Sequence, residues 1–223
     1  MRHCVVQALF DDIAFSFQLT QSTAMSCFPF RTCLECLQGP SFATANESYA
    51  HLREEVHCVK LDTSFMGREV ILLKAGTRIC GSGGALATAP IVQNKAYFQA
   101  TIQVNGIWGI GLATRSANLS NAPILENAWM LHHDGRVYSN GEELGVIDLQ
   151  MSEGDSIGVA FDHIDLRFFK NNEELPITIP NIRGQVYPCV FVEEAASIDV
   201  KFRTFDLNPP PGYEEIMIEQ TLL

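Results

Sequence analysis

The sequence predicts an all-β protein: an antiparallel two-sheet β-sandwich, preceded by a short extension without pattern. Three observations carry this. Apolar and polar residues alternate with period two along most segments beyond residue 56. Turn dipeptides separate those segments. No segment of that region repeats its apolar residues at the 3.6-residue spacing of an amphipathic helix.

The elements follow in chain order. Residues 1–55 hold four of the seven cysteines, Cys4, Cys27, Cys33 and Cys36, and show no sustained periodicity. Their apolar cluster, Ile13–Leu19, is short, and Ser41–Glu55 is small and polar. Ordering a chain costs about 1–2 kcal/mol per residue, which so little patterned apolar surface does not offset. A disordered extension is expected, with Met25 as a second plausible initiator. Arg2 and His3 resemble the start of a signal peptide, but Asp11-Asp12 and Gln18 interrupt its apolar core, so none is expected.

One sandwich domain is expected over residues 56–205, with a C-terminal tail, 206–223, packing on it or flanking it. EVILL (69–73) is the first strand candidate. Gly81-Ser-Gly83-Gly84, which opens no helix, is expected to be a bulge or tight loop between strands. In AYFQATIQV (96–104), Phe98, Ala100, Ile102 and Val104 face one way, while Tyr97, Gln99, Thr101 and Gln103 face the other. Asn105-Gly106 leads into IWGIGLA (107–113). Asp134-Gly135 joins WMLHH to RVYS as a hairpin in which both turn residues tolerate positive φ, and Asn140-Gly141 marks another turn. DSIGVAF (155–161), IDLRFF (164–169), VYPCVFV (186–192) and ASIDVKF (196–202) complete the set. In the last, Ile198, Val200 and Phe202 oppose Ser197, Asp199 and Lys201.

Composition narrows the function classes. At 223 residues the chain is one domain's worth with an extension. A net charge of −11, of which −8 lies beyond residue 55, repels phosphate backbones, so nucleic acid is not an expected partner. No polybasic stretch offers itself to an anionic membrane, and no apolar run reaches the length of a transmembrane helix. Seven cysteines, an odd number without regular spacing, fit a reducing compartment, so a cytoplasmic monomer is expected.

Candidate chemistry is sparse. His132-His133-Asp134 lies at a strand end, where neighbouring imidazoles point to opposite faces and do not share a ligand. Asp162-His163 falls in a tight hairpin with no nucleophile placed beside it. Gly81-Ser-Gly83-Gly84 lacks the Lys-Ser/Thr of a phosphate loop. Cys58, Cys80 and Cys189 read as buried small apolar residues, and Trp108 and Trp129 as core. Cys33-Leu-Glu-Cys36, with Cys27 and His51, His57 or Cys58, leaves three readings open: plain disorder, S-acylation of Cys27, Cys33 and Cys36, or a metal or redox site. A membrane enters only through acylation. The Glu pairs 142–143, 173–174 and 193–194 either solvate loop tips or form an acidic rim. No catalytic residue, metal site or cofactor is expected.

The order of these segments resembles the SPRY domain family, over residues 57 to 205. The residues that carry the resemblance are Gly154-Asp155, Ile157-Gly158-Val159, Asp162, Phe168 with Asn171, and Tyr187-Pro188, five pieces in order. VKLDTSFMG, RICGSGG, QNKAYF, GIWGIG and NPPPGYEE are similar to a small free-standing branch of that family. The resemblance implies a bent, concanavalin-like sandwich and a non-enzymatic adaptor that binds an unknown protein or peptide through loops at one end. It aligns Ser82, Gly83 and Gly84, the connection from Asn118 to Asn127 with Ile124 and Leu125, and Glu193-Glu194 with the loops by which some members read an Asp-Ile-Asn-Asn-Asn peptide. Where those readers use Arg, Pro, Tyr and Trp, this chain has Ser82, Gly84, Ile124 and Glu194, so that ligand is not expected. An exposed apolar patch at Ile124 and Leu125, next to Glu126, favours an apolar–basic ligand instead. No RING, B-box or SOCS-box pattern accompanies the domain.

Overall fold

A computed structural model describes residues 58–218. The expected extension, with Cys27, Cys33 and Cys36, lies outside the described residues. The described chain forms thirteen strands: Leu61–Met66 (β1), Glu69–Leu73 (β2), Arg78–Ala87 (β3), Ala96–Val104 (β4), Ile107–Ala113 (β5), Ala128–His132 (β6), Arg136–Ser139 (β7), Glu142–Val146 (β8), Ser156–Phe161 (β9), Leu166–Lys170 (β10), Glu173–Ile179 (β11), Tyr187–Glu193 (β12) and Ser197–Lys201 (β13). The only helical element among the described residues is one 3-10 turn, Lys74–Gly76.

All strand pairings are antiparallel. They form two sheets that share β3. The first runs β1-β3-β12-β5-β6-β7-β8 and the second β2-β3-β13-β4-β9-β10-β11. The sharing has a local cause. Residues 78–82 of β3 pair with β2, Ile71 opposite Cys80, whereas residues 83–86 pair with β12, Val192 opposite Gly83. Between the halves stand Gly81 at φ 97° and Gly83 at φ 117°, a conformation that side-chain-bearing residues rarely adopt. A Cβ at Gly81 would also collide with the Glu69 carbonyl. The expected loop at 82–84 is therefore corrected. These residues are the corner of one long strand, bent by glycine so that it switches sheets.

The inward faces meet in one large cluster. The second sheet contributes Ile79, Phe98, Ala100, Ile102, Ile157, Val159, Phe168, Ile198 and Val200; the first contributes Ala85, Trp108, Ile110, Leu112, Leu131, Val190 and Val192. These are the alternating residues of the sequence pattern, and the sandwich expected from it is what the chain forms. Expected β2, β4 and β5 coincide with the observed strands residue for residue. Both residues of Asn140-Gly141 have positive φ, 47° and 91°, the requirement of a two-residue I′ turn, and Asn171-Asn172 repeats it at 47° and 76°. Asp134-Gly135 joins β6 to β7 as the expected hairpin, with only Gly135 at positive φ, 82°, and its N–H donating to the His132 carbonyl at 3.0 Å.

Each sheet also buries part of its outer face. On the second sheet, Tyr97, Ala160 and Phe169 are covered by Tyr213 and Phe205 from the chain after β13. On the first, Leu86, Met130, Tyr187, Cys189 and Phe191 are covered by Ile124, Leu119, Ala117 and Ala122 from the connection between β5 and β6, and by Phe65.

Candidate functional site

The connection from Thr114 to Asn127 carries the candidate site, and its frame is fixed at three points. Its base is closed where the Thr114 N–H donates to the Asn127 carbonyl at 2.9 Å and the Asn127 N–H donates to Asn140 Oδ1 at 2.9 Å. Its middle is tied down where the Gly84 N–H donates to the Leu119 carbonyl at 2.8 Å. Ile124, 2% exposed, then seats its side chain in the space left by the missing Cβ of Gly84, against Phe191. Thr114 and Asn118 side-chain oxygens accept N–H groups two residues on, which sets the local turns.

The frame leaves an open groove of about 310 Å³, walled by Ser116, Asn118, Asn121, Pro123, Leu125 and Glu126. Its lining combines amides with apolar carbons. Arg115 stands just before Ser116, with its guanidinium 4.3 Å from the Phe65 ring centre and 4.9 Å from that of Tyr187.

Beneath the same face lies His132. Its ring packs 4.6 Å from Tyr138 and 5.0 Å from Phe191, and it is 5% exposed. Burial pushes its pKa down to about 4, so the imidazole is neutral at physiological pH. Its Nε2 and the Nδ1 of His133 have no hydrogen-bond partner among the described residues. The two rings sit on a strand end and its turn, and no group of three or more His, Cys, Asp or Glu able to hold a metal ion occurs among the described residues. Asp162 instead accepts from the Asp165 N–H and from Arg167, which makes it part of a turn.

The residues expected from sequence divide as follows. Gly83 and Gly84 are buried, and only Ser82 of that trio is partly exposed. Gly84 contacts the Leu119–Ile124 stretch, and Gly83 pairs with Val192, the residue before Glu193 in β12. Ile124 is not part of an exposed patch: it is the buried plug of the connection, which corrects that expectation. Leu125 remains in the groove wall. Glu194 is exposed, at φ 53° in the turn between β12 and β13, and Glu193 is the partly exposed end of β12. Cys189 is fully buried, and burial pushes its thiol up to about 12, whereas Cys80 is only half-buried. Sequence reasoning missed Arg115. Nothing local marks it, because the rings that hold it lie fifty and seventy-two positions away in the chain.

Comparison with known proteins places this geometry. A SPRY domain profile matches residues 95–205. The chain is 42% identical over 173 residues to SPRY domain-containing protein 7 of Homo sapiens, covering 76% of this chain and 88% of that protein, with the same figures for the Gallus gallus protein. The solved SPRY domain of human HERC1 superposes with a TM-score of 0.52 at 18% identity, over 63% of this chain and 96% of that one. The TRIM65 PSpry domain does so at 0.54 and 11%, over 68% and 95%. Likenesses at those identities show the fold alone; the closer sequence match and the profile show that the chain belongs to the SPRY domain family.

Proposed function

We propose that this chain is a protein-interaction module without catalytic chemistry, which takes a short peptide or a partner's loop in the groove of the Thr114–Asn127 connection. The observation that carries the reading is the groove's rigid mounting: its base is hydrogen-bonded shut, and Ile124 plugs it onto Gly84. A loop so held presents side chains with little ordering cost on binding. Asn118 and Asn121 supply donors and acceptors of the kind a peptide backbone needs, while Pro123 and Leu125 supply apolar contact. One copy of the chain carries the whole groove, so a monomer suffices. A cytoplasmic location belongs to this reading, supported by the Cys80 and Cys189 thiols, which form no disulfide.

The test is affinity capture from cells with the full chain, its Leu125→Asp variant, and a Leu144→Asp control on β8. Partners captured by wild type and control but lost with Leu125→Asp are expected. An unchanged set with all three folded proteins would sink the groove. Acylation of Cys27, Cys33 and Cys36 is a separate proposal about residues outside the described ones; acyl-exchange labelling that survives the triple Ser variant would remove it.

A further inference from the structure

We infer that Arg115 is a binding residue for a single carboxylate side chain, an Asp or Glu of the peptide that occupies the groove; this rests on the groove reading above. The argument begins with what the guanidinium does and does not touch. It contacts two aromatic rings, one of which, Tyr187, is 3% exposed and fixed in β12. Cation–π contact with two rings restrains the group without using its N–H donors. Among the described residues those donors make no hydrogen bond and no ion pair. Arg78 faces Asp199, Arg136 faces Asp134, and Arg167 faces both Asp162 and Glu174, whereas Arg68 and Arg203 form no ion pair among the described residues; what sets Arg115 apart is that it lacks an acid while two rings hold it. Arg115 is thus restrained, cationic and unpaired, and in the chain it immediately precedes Ser116, the first residue of a groove wall that is otherwise nearly uncharged. A planar fork in that state matches a carboxylate bidentately, with part of its ordering cost already met.

Charge fixes the occupant further. From Ser116 to Asn127 the only charged residue is Glu126, and Arg115 directly precedes the first wall residue in the chain. The chain as a whole carries −11, which repels an acidic stretch at long range. Screening beyond about 8 Å at physiological salt lets one well-placed acid reach Arg115 without that penalty dominating. The occupant is therefore an extended peptide with one acidic residue and an apolar residue to meet Pro123 and Leu125. This replaces the apolar–basic ligand expected from Ile124, Leu125 and Glu126, because Ile124 is buried and Arg115 is not neutralised.

The experiment selects phage-displayed random heptapeptides, fused at their C-termini, on the full chain. Hits are resynthesised with both ends capped and measured by fluorescence anisotropy against wild type, Arg115→Gln and Leu125→Asp. The expected hits share one Asp or Glu. Its exchange for Asn or Gln weakens binding to wild type about tenfold, the scale of a hydrogen bond to a charged group, and has no effect on Arg115→Gln. Because that exchange alters only the peptide, it keeps the test valid if Arg115→Gln loosens the fold. Hits that need Leu125 but have no acid, or that ignore Arg115→Gln, overturn the Arg115 assignment and leave the groove standing. Hits that ignore Leu125→Asp, or a selection that enriches nothing, overturn both.

Discussion

The two outer faces of the sandwich are covered in opposite ways. On the second sheet the chain after β13 closes over Tyr97, Ala160 and Phe169, and its polar groups are matched. Gln99 Oε1 accepts from the Asp206 and Leu207 N–H groups at 3.1 Å, the Gln93 side chain donates to the Glu215 carbonyl and accepts from the Met217 N–H, and the Glu214 carbonyl accepts from the Tyr97 N–H at 2.8 Å. An arginine stands over an aromatic ring here too, Arg167 above Tyr213, but it also donates to the Tyr213 hydroxyl and faces Asp162 and Glu174. On the first sheet the covering connection is pinned just as firmly, yet it keeps an open groove and an arginine with no acid. The same device, an aromatic-backed arginine over a covered face, serves as a closed clasp where its charge is satisfied internally. Where it is not, a site for an external charge remains. Burial of apolar area stabilises both covers; satisfaction of polar groups distinguishes them.

The comparison can be broken most directly at the plugs. Ile124→Ala and Tyr213→Ala each remove a buried anchor of a cover, and each is expected to cost about 2–4 kcal/mol in urea unfolding. Only Ile124→Ala should also abolish peptide binding. If Tyr213→Ala abolishes it equally, at matched stability, the two faces are not functionally distinct.

Next in size is an effect of pH confined to the first sheet. His132 has a folded pKa of about 4 against an ordinary 6.5, so the unfolded chain binds its proton first as pH falls. Stability is fully present above about pH 6.5 and is lost progressively as pH falls from there toward 4, by up to about 3 kcal/mol. His132→Phe should flatten the profile between pH 6.5 and 4.5. An unchanged slope in that variant would show that His132 opens to water at no cost. Below that window the carboxylates take over. Asp199, held below the ordinary range by Arg78 and Lys74 against the opposing effect of burial, stabilises the second sheet until acid protonates it.

The smallest expected change in stability comes from Leu125→Asp, within about 0.5 kcal/mol because the residue borders solvent, together with a full loss of binding. A large drop in melting temperature would mean that Leu125, like Ile124, belongs to the cover.

The sequence alone determined the sandwich, because a strand with one apolar face toward the core writes its period directly into the chain: Phe98, Ala100 and Ile102 against Gln99 and Thr101, Ile198 and Val200 against Asp199 and Lys201. Asn140-Gly141 was legible for a similar reason, since positive φ restricts residue type. The strands without a buried stripe were not: β1 buries only Leu61 fully, β8 is largely exposed, and β11 contains Pro176, tolerable because it lies at a sheet edge. The corner at Gly81–Gly83 read as a loop because glycine signals both a bend and a break, and only pairing with two different sheets distinguishes them. Resemblance pointed to the Asn118–Asn127 connection but not to which residues in it face solvent. Ile124 is buried because Gly84, forty residues earlier, leaves it a hole, and Arg115 is held by Phe65 and Tyr187, on two other strands. Those placements depend on contacts between residues distant in the chain, which period and turn chemistry do not encode and only the folded sheet brings together.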